Sequence, residues 1–109
     1  MASALLNPRK SLNPPQPDFP LFKLGQVVAT PAAIDLLRSL ALNPLLFLGR
    51  HAFGDWGQVS DQDREANRAA LKDGSRLLSS YTLNRNNDRL WIITEADRSS
   101  TTLLLPQEY

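Results

Sequence analysis

Apolar positions along the chain change their spacing twice, and the changes divide it into three stretches. Up to about residue 20 large apolar side chains are sparse, and Pro8, Pro14, Pro15, Pro17 and Pro20 fall among Asn, Ser and Gln. Such a stretch buries too little surface to offset its ordering entropy, so residues 1–20 are expected to form an extended, polyproline-leaning arm, packed along the domain or disordered. Residues 21–109 are then expected to make a single domain. Its first segment, Leu21 to Ala29, carries Phe22, Leu24, Val27 and Val28 and suits either a short strand or an extended lead-in.

Helical signals come next. Thr30-Pro31 pairs a side chain able to accept a bond from an orphan N–H with a proline whose missing N–H costs nothing there, so a helix is expected through Ala33, Ile34, Leu36, Leu37 and Leu40. Asn43-Pro44 repeats the signal and predicts a second helix to about Ala52, with Leu45, Leu46, Leu48 and Ala52 as its apolar side. Gly54-Asp55-Trp56-Gly57 interrupts it as a sharp connector, Gly54 falling where a helix commonly ends in a left-handed residue. Ser60 opens a third helix, with Asp61 and Asp63 at the positive end of its dipole and Gly74 closing it. Its apolar residues are Ala66, Ala69, Ala70 and Leu71, which predicts a surface helix burying a narrow stripe.

From Arg76 onward the period shortens to that of strands. Arg76–Leu83, Arg89–Glu95 and Thr101–Leu105 are rich in Leu, Ile, Thr, Tyr and Trp, with turn clusters at Asn84–Asp88 and Asp97–Ser100, and Pro106 ends the last run. Connections this short require antiparallel neighbours. The expectation is an α+β domain: two or three short helices on one face of a small antiparallel sheet, a meander of three or four strands. No internal repeat is visible.

Composition then narrows the chemistry. With no cysteine and one histidine, disulfide scaffolds, thiolate zinc sites and His-rich metal sites are excluded, and no metal or cofactor is expected. No apolar run approaches a membrane span and Met1 to Lys10 lacks a signal-peptide core, so the expectation is a cytoplasmic protein without a membrane partner. The net charge of +1 comes from Arg9, Lys10 and Asp18 in the arm, which leaves residues 21–109 neutral and disfavours a broad nucleic-acid-binding field. Nine of the twelve basic residues are nevertheless Arg, the residue suited to bidentate contacts with phosphate and carboxylate. Arg76, Arg85, Arg89 and Arg98 lie on the expected sheet or its turns, either as a solvated face paired with Asp88, Glu95 and Asp97 or as a local RNA site.

His51 is the one side chain whose ordinary pKa lies near neutrality, so acid/base chemistry would run through it; the structural alternative is a cap on the C-terminal carbonyls of its own helix. Trp56 is either a hydrophobic plug or a stacking platform, and with Asp55, Arg76 and Arg89 it makes up the candidate binding set. If the chain is a nuclease, the candidate catalytic set is His51 and Glu95 for proton transfer, Arg98 for phosphate charge, Tyr81 or Thr102 as hydrogen-bond donors, and Arg50 as the basic residue beside His51. Phosphate-binding glycine loops and the nucleophile elbow are missing, and Asp61-x-Asp63-x-Glu65 lacks the glycine and terminal Glu of a calcium loop. Asn13-Pro14-Pro15-Gln16 resembles the catalytic loop of adenine methyltransferases but lacks its aromatic residue.

Residues 50–57 (Arg-His-Ala-Phe-Gly-Asp-Trp-Gly), Leu78-Ser79-Ser80-Tyr81 and the block from Trp91 to Tyr109 resemble a family of small proteins borne on bacterial plasmids and integrated elements. That family is usually labelled "plasmid-related protein" and loosely "type I restriction endonuclease subunit M", and the likeness runs from about residue 21 to the end. It implies a mobile-element context and no particular chemistry, and the methylase label conflicts with the residues. A more distant likeness is to the barnase/EndoU/colicin/RelE-like RNases, in which Arg50, His51, Tyr81, Arg98 and Thr102 would fill the pattern. The leading expectation is an accessory protein-interaction module, in element maintenance or counter-defence, using the Gly54–Gly57 loop and the exposed sheet face. A homodimer is compatible with it. The competing expectation is a small metal-independent RNase using His51 as general acid/base.

Overall fold

Three side-chain caps start the three helices. Thr30 Oγ1 accepts from Ala33 N at 3.1 Å, Asn43 Oδ1 from Leu45 N at 2.9 Å and Ser60 Oγ from Asp63 N at 3.0 Å. Each satisfies a donor that the first turn would leave unpaired. The computed structural model describes residues 19–109, so all of the expected arm except Phe19 and Pro20 lies outside the described residues. In chain order the elements are β1 (Gln26–Ala29), α1 (Pro31–Ser39), α2 (Pro44–Ala52), α3 (Asp61–Asp73), β2 (Leu77–Thr82), β3 (Arg89–Thr94), β4 (Ser100–Leu104) and a single 3₁₀ turn (Pro106–Glu108).

The fold is α+β, with a four-stranded mixed sheet in the order β1-β4-β3-β2. The meander β2-β3-β4 is antiparallel throughout, as its short turns demand. Leu21–Ala29 does yield a strand: β1 lies parallel to β4 in the register Gln26↔Ser100 to Ala29↔Leu103. Parallel pairing is open to it because the whole helical layer separates it from β4 in the chain.

Alternation along the strands separates two faces. Leu77, Ser79 and Tyr81 share one face with Leu90, Ile92 and Thr94 and with Thr101 and Leu103, all at most 1 % exposed. Against it the helices place Ala33, Leu37, Phe47 and Leu48, forming the main core, while Trp56, Ala70 and Leu77 form a second cluster with Phe22, Val59 and Leu71. The opposite face is open in that α1, α2 and α3 pack on the other one, and it carries Leu78, Ser80, Thr82, Arg89, Trp91, Ile93, Thr102, Leu104 and Val28. Its centre is not bare, since Ser80, Ile93 and Leu104 are only 4, 5 and 9 % exposed and Tyr109 packs on Trp91 there.

Two helix faces differ from the sequence expectation. In α2 the buried stripe is Phe47, Leu48, His51 and Ala52, whereas Leu45 and Leu46 are 68 % and 59 % exposed. The stripe is set by the large Phe47 ring and by His51, whose two hydrogen-bond partners are both on the sheet. In α3 the buried residues are Asn67 and Ala70, and Ala66 and Ala69 face outward. Asn67 is drawn inward because it brackets the edge of β2, donating from Nδ2 to Leu78 O at 2.7 Å and accepting from Leu78 N at 3.0 Å.

The remainder of that edge is covered by the connector after α2. Ser80 N donates to Trp56 O and Gln58 N to Ser80 O, at 3.0 and 2.6 Å, and Gln58 Oε1 accepts from Thr82 N at 2.9 Å. Gly57 is required here, because its φ is 72° and a Cβ would run into the Ser80 carbonyl. No single helix among the described residues is long and apolar enough to cross a membrane.

Candidate functional site

Where α2 meets the middle of the sheet, a row of polar side chains is sealed inside the fold. His51 is fully buried, with Nδ1 at 2.6 Å from Ser79 Oγ and Nε2 at 2.9 Å from Thr94 Oγ1. Thr94 Oγ1 lies 2.7 Å from Thr101 Oγ1, which donates to Leu24 O at 2.7 Å. A carbonyl only accepts, so counting protons from that end orients the whole row. Thr101 donates to Leu24 O and accepts from the Thr94 hydroxyl. Thr94, its proton committed, accepts from His51 Nε2–H, and the bare Nδ1 accepts from the Ser79 hydroxyl. The imidazole is thus the Nε2–H tautomer, with both nitrogens satisfied.

Aromatic rings enclose this histidine. Phe22 meets it edge-on at 5.1 Å between centroids and Trp56 at 5.7 Å, and the two rings stack on each other at 6.2 Å. Burial disfavours the charged imidazolium and the Arg98 guanidinium adds like-charge repulsion, and together they lower the His51 pKa to about 4. His51 is therefore a neutral interior residue. It does not cap its helix: the carbonyls of Gly49, Arg50 and His51 are taken instead by the backbone N–H groups of Phe53, Gly54 and Asp55.

Arg98 has a left-handed backbone, φ 60°, and sends its guanidinium into a nest of carbonyls. Nη1 donates to Ser75 O, Glu95 O and Ala96 O at 2.6, 3.1 and 3.3 Å, and Nη2 to Ala70 O at 3.0 Å. The guanidinium lies 5.8 Å over the Phe22 ring. It ties the end of α3 to the β3–β4 turn, where a cation also complements the helix dipole.

Arg50 and Tyr81 do come together. The Arg50 guanidinium sits 4.5 Å over the Tyr81 ring and pairs with Asp55, Nε to Oδ2 at 2.7 Å, while the Tyr81 hydroxyl donates to Asp55 O at 2.7 Å. That hydrogen bond to Asp55 holds the Arg50 pKa above its ordinary value. Burial works to raise the Asp55 carboxyl, but the bonds from Arg50 and Gly57 N outweigh it and leave it below the usual carboxylate range. Burial also pushes the Tyr81 hydroxyl well above its usual value.

The other candidates are dispersed. Thr102 faces the open side of the sheet, away from His51, and Glu95 is exposed in the turn after β3. Trp56, 6 % exposed, is a packed plug. Arg89 lies on the open face, Nη1 at 3.4 Å from Ser80 Oγ. Arg76 stacks on the Tyr109 ring at 5.5 Å and donates to its hydroxyl, and Tyr109 packs edge-on against Trp91 at 5.5 Å. Ser79, Thr94, Thr101 and Asn67 were not among the sequence candidates. The signal of Ser79, Thr94 and Thr101 was small polar residues at inward strand positions, between Leu77 and Tyr81 and beside Ile92 and Leu103, which require a buried polar partner, while Asn67 on α3 carried no such signal. Among the described residues no cluster of His, Asp and Glu is arranged to hold a metal ion. No family model, curated protein or solved structure matches the chain.

Proposed function

We propose that this chain is an accessory interaction module of a plasmid or integrated element, in element maintenance or counter-defence, which holds a protein partner on the open face of its sheet. The mobile-element context rests on the resemblance carried by residues 50–57, 78–81 and 91–109. The observation that supports the binding role is the make-up of the open face. The row Val28-Thr102-Ile93-Leu78 crosses all four strands, with Val28 42 % exposed at one edge, Leu78 half-buried at the other and Ile93 buried between them. Tyr109, 66 % exposed, packs on half-buried Trp91 next to Arg76, and Arg89 lies on the same face. Aromatic and arginine side chains around an apolar centre are the usual anchors of protein contacts. The arginines suit a partner segment whose apolar centre is flanked by carboxylates.

The nuclease reading has less support. Its general acid/base would be a fully buried His51, with both nitrogens committed and a pKa of about 4, far from the solvent and neutral at pH 7.

A photo-crosslinking residue tests the assignment. Placed at Thr82, exposed on the open face, it should trap one specific protein from host lysate, while the same residue at Ala69, exposed on α3, should not. No adduct at Thr82, the same adducts at both positions, or an RNA adduct in place of a protein would overturn it. So would cleavage of total RNA by the purified wild type.

A further inference from the structure

The two edges of the sheet are finished differently. Along β2, Leu78, Ser80 and Thr82 meet partners from Asn67, Trp56 and Gln58. Along β1, Gln26 N donates to Ser99 O and Thr30 N to Leu103 O, so alternate residues serve β4. The N–H and C=O groups of Val27 and Ala29 consequently point away from the sheet, and among the described residues no backbone group meets them. Sheets commonly blunt such an edge with a charge, a proline or a bulge. Gln26-Val27-Val28-Ala29 has none of these, and its valines are 43 % and 42 % exposed.

We infer that this edge pairs antiparallel with the β1 edge of a second copy, about a two-fold axis through Val28, so that the two sheets become one. The backbone itself selects the register. Antiparallel pairing opposes outward-pointing residues to each other, which leaves three centres. An axis through Ala29 would oppose Val27 to Pro31, which has no N–H and already begins α1. An axis through Val27 would place Gly25 in the ladder opposite Ala29, but Gly25 has φ 66° and is not extended. An axis through Val28 places Thr30 opposite Gln26, and Thr30 is extended at φ −70°, ψ 153°. In that register Val27 and Ala29 of the second copy exchange both of their backbone bonds, and the symmetric pair does the same. Nothing charged meets a like charge, and the contact is isologous and closed. Val28 lies on the same face as Thr102, so its contact with Val28 of the second copy joins the two open faces. The dimer stands independently of what that face binds.

The chain has no cysteine, so Val28→Cys puts a single thiol on the axis. A non-hydrogen-bonded antiparallel pair brings its Cα atoms to about 4.5 Å, within disulfide reach. Mild oxidation of the full chain at about 100 µM should link Val28→Cys at least about tenfold faster than Leu45→Cys, which is exposed on α2. Sedimentation of the wild type in the same range should give a dimer. Val27→Pro, which removes only an outward N–H, and Val28→Lys, which opposes like charges across the axis, should sediment as monomers with unchanged far-ultraviolet circular dichroism. A monomeric wild type, a dimer that survives Val28→Lys, or cross-linking no faster than for Leu45→Cys would overturn the proposal. Should Val27→Pro unfold, Val28→Lys and the cross-link decide it.

Discussion

His51 commits both ring nitrogens to the interior, and this makes the stability of the fold depend on pH. In the unfolded chain the imidazole titrates near its ordinary 6.5, and in the fold at about 4. Above pH 6.5 neither state is protonated and the stabilisation is complete. As pH falls from 6.5 towards 4 the unfolded chain takes up a proton that the folded one refuses. Stability then drops by about 1.4 kcal/mol per pH unit, about 3 kcal/mol in all. Urea unfolding at pH 7 and pH 4.5 should reveal most of that loss, before the depressed carboxyls of Asp55, Asp73 and Asp97 add theirs at lower pH. Because the chain has one histidine, its NMR titration is unambiguous, and a midpoint above 6 would refute the sealed row. Arg98→Gln removes the like charge and should raise that midpoint relative to wild type; an unmoved midpoint would mean that burial acts alone. The sequence marked His51 as the residue to explain, but its partners were hidden: Ser79, Thr94 and Thr101 read as ordinary strand residues until the pairing register sets them side by side. Tyr81 and Arg50 were legible as residues of interest, and their contact was not, because it depends on a fold contact between α2 and β2.

At the scale of elements, capping chemistry and strand alternation carried most of the reading. Thr30, Asn43 and Ser60 start their helices where the local sequence places them, because an N-cap bond is made within three residues and needs no tertiary context. Helix faces were less legible. Leu45 and Leu46 face outward because the sheet selects Phe47 and His51, and that choice depends on residues far along the chain. The parallel seating of β1 was invisible for the same reason. Asn67 is where such long-range logic is concentrated, one amide serving both backbone groups of Leu78. Asn67→Ala should cost about 2–4 kcal/mol in urea unfolding by stranding both groups. Arg68→Ala, on the exposed neighbour, should stay within about 0.5 kcal/mol. Equal costs would mean that water replaces the amide. Gly49, in the interior of α2, has open space where a Cβ would stand. Gly49→Ala should therefore stabilise by about 1 kcal/mol, raising the melting temperature by about 4–8 °C.

For the whole molecule, the central question is whether the two faces of the sheet carry different loads. The helix side is packed by α1, α2 and α3, and the open side bears buried Ile93 and Leu104 together with half-buried Trp91 and exposed Tyr109, while residues 19–109 bear equal numbers of acidic and basic groups. Neutrality argues against a partner recruited by long-range charge and for one held by local apolar contact. Adjacent residues of β3 separate the faces. Ile92 is fully buried under the helices, and Trp91 points the other way against Tyr109. If the open face is a surface reserved for a partner, truncating the larger side chain must cost the isolated protein less. Ile92→Ala is expected to lose about 3–5 kcal/mol through its cavity, and Trp91→Ala only about 1–2 kcal/mol through lost contact with Tyr109. Urea unfolding of the two variants under identical conditions measures the difference directly. Were Trp91→Ala to cost as much as Ile92→Ala, the tryptophan would belong to a second core and the docking face would be lost. The inequality, together with loss of the Thr82 adduct in Trp91→Ala, would place partner contact on a face that contributes little to holding the fold together.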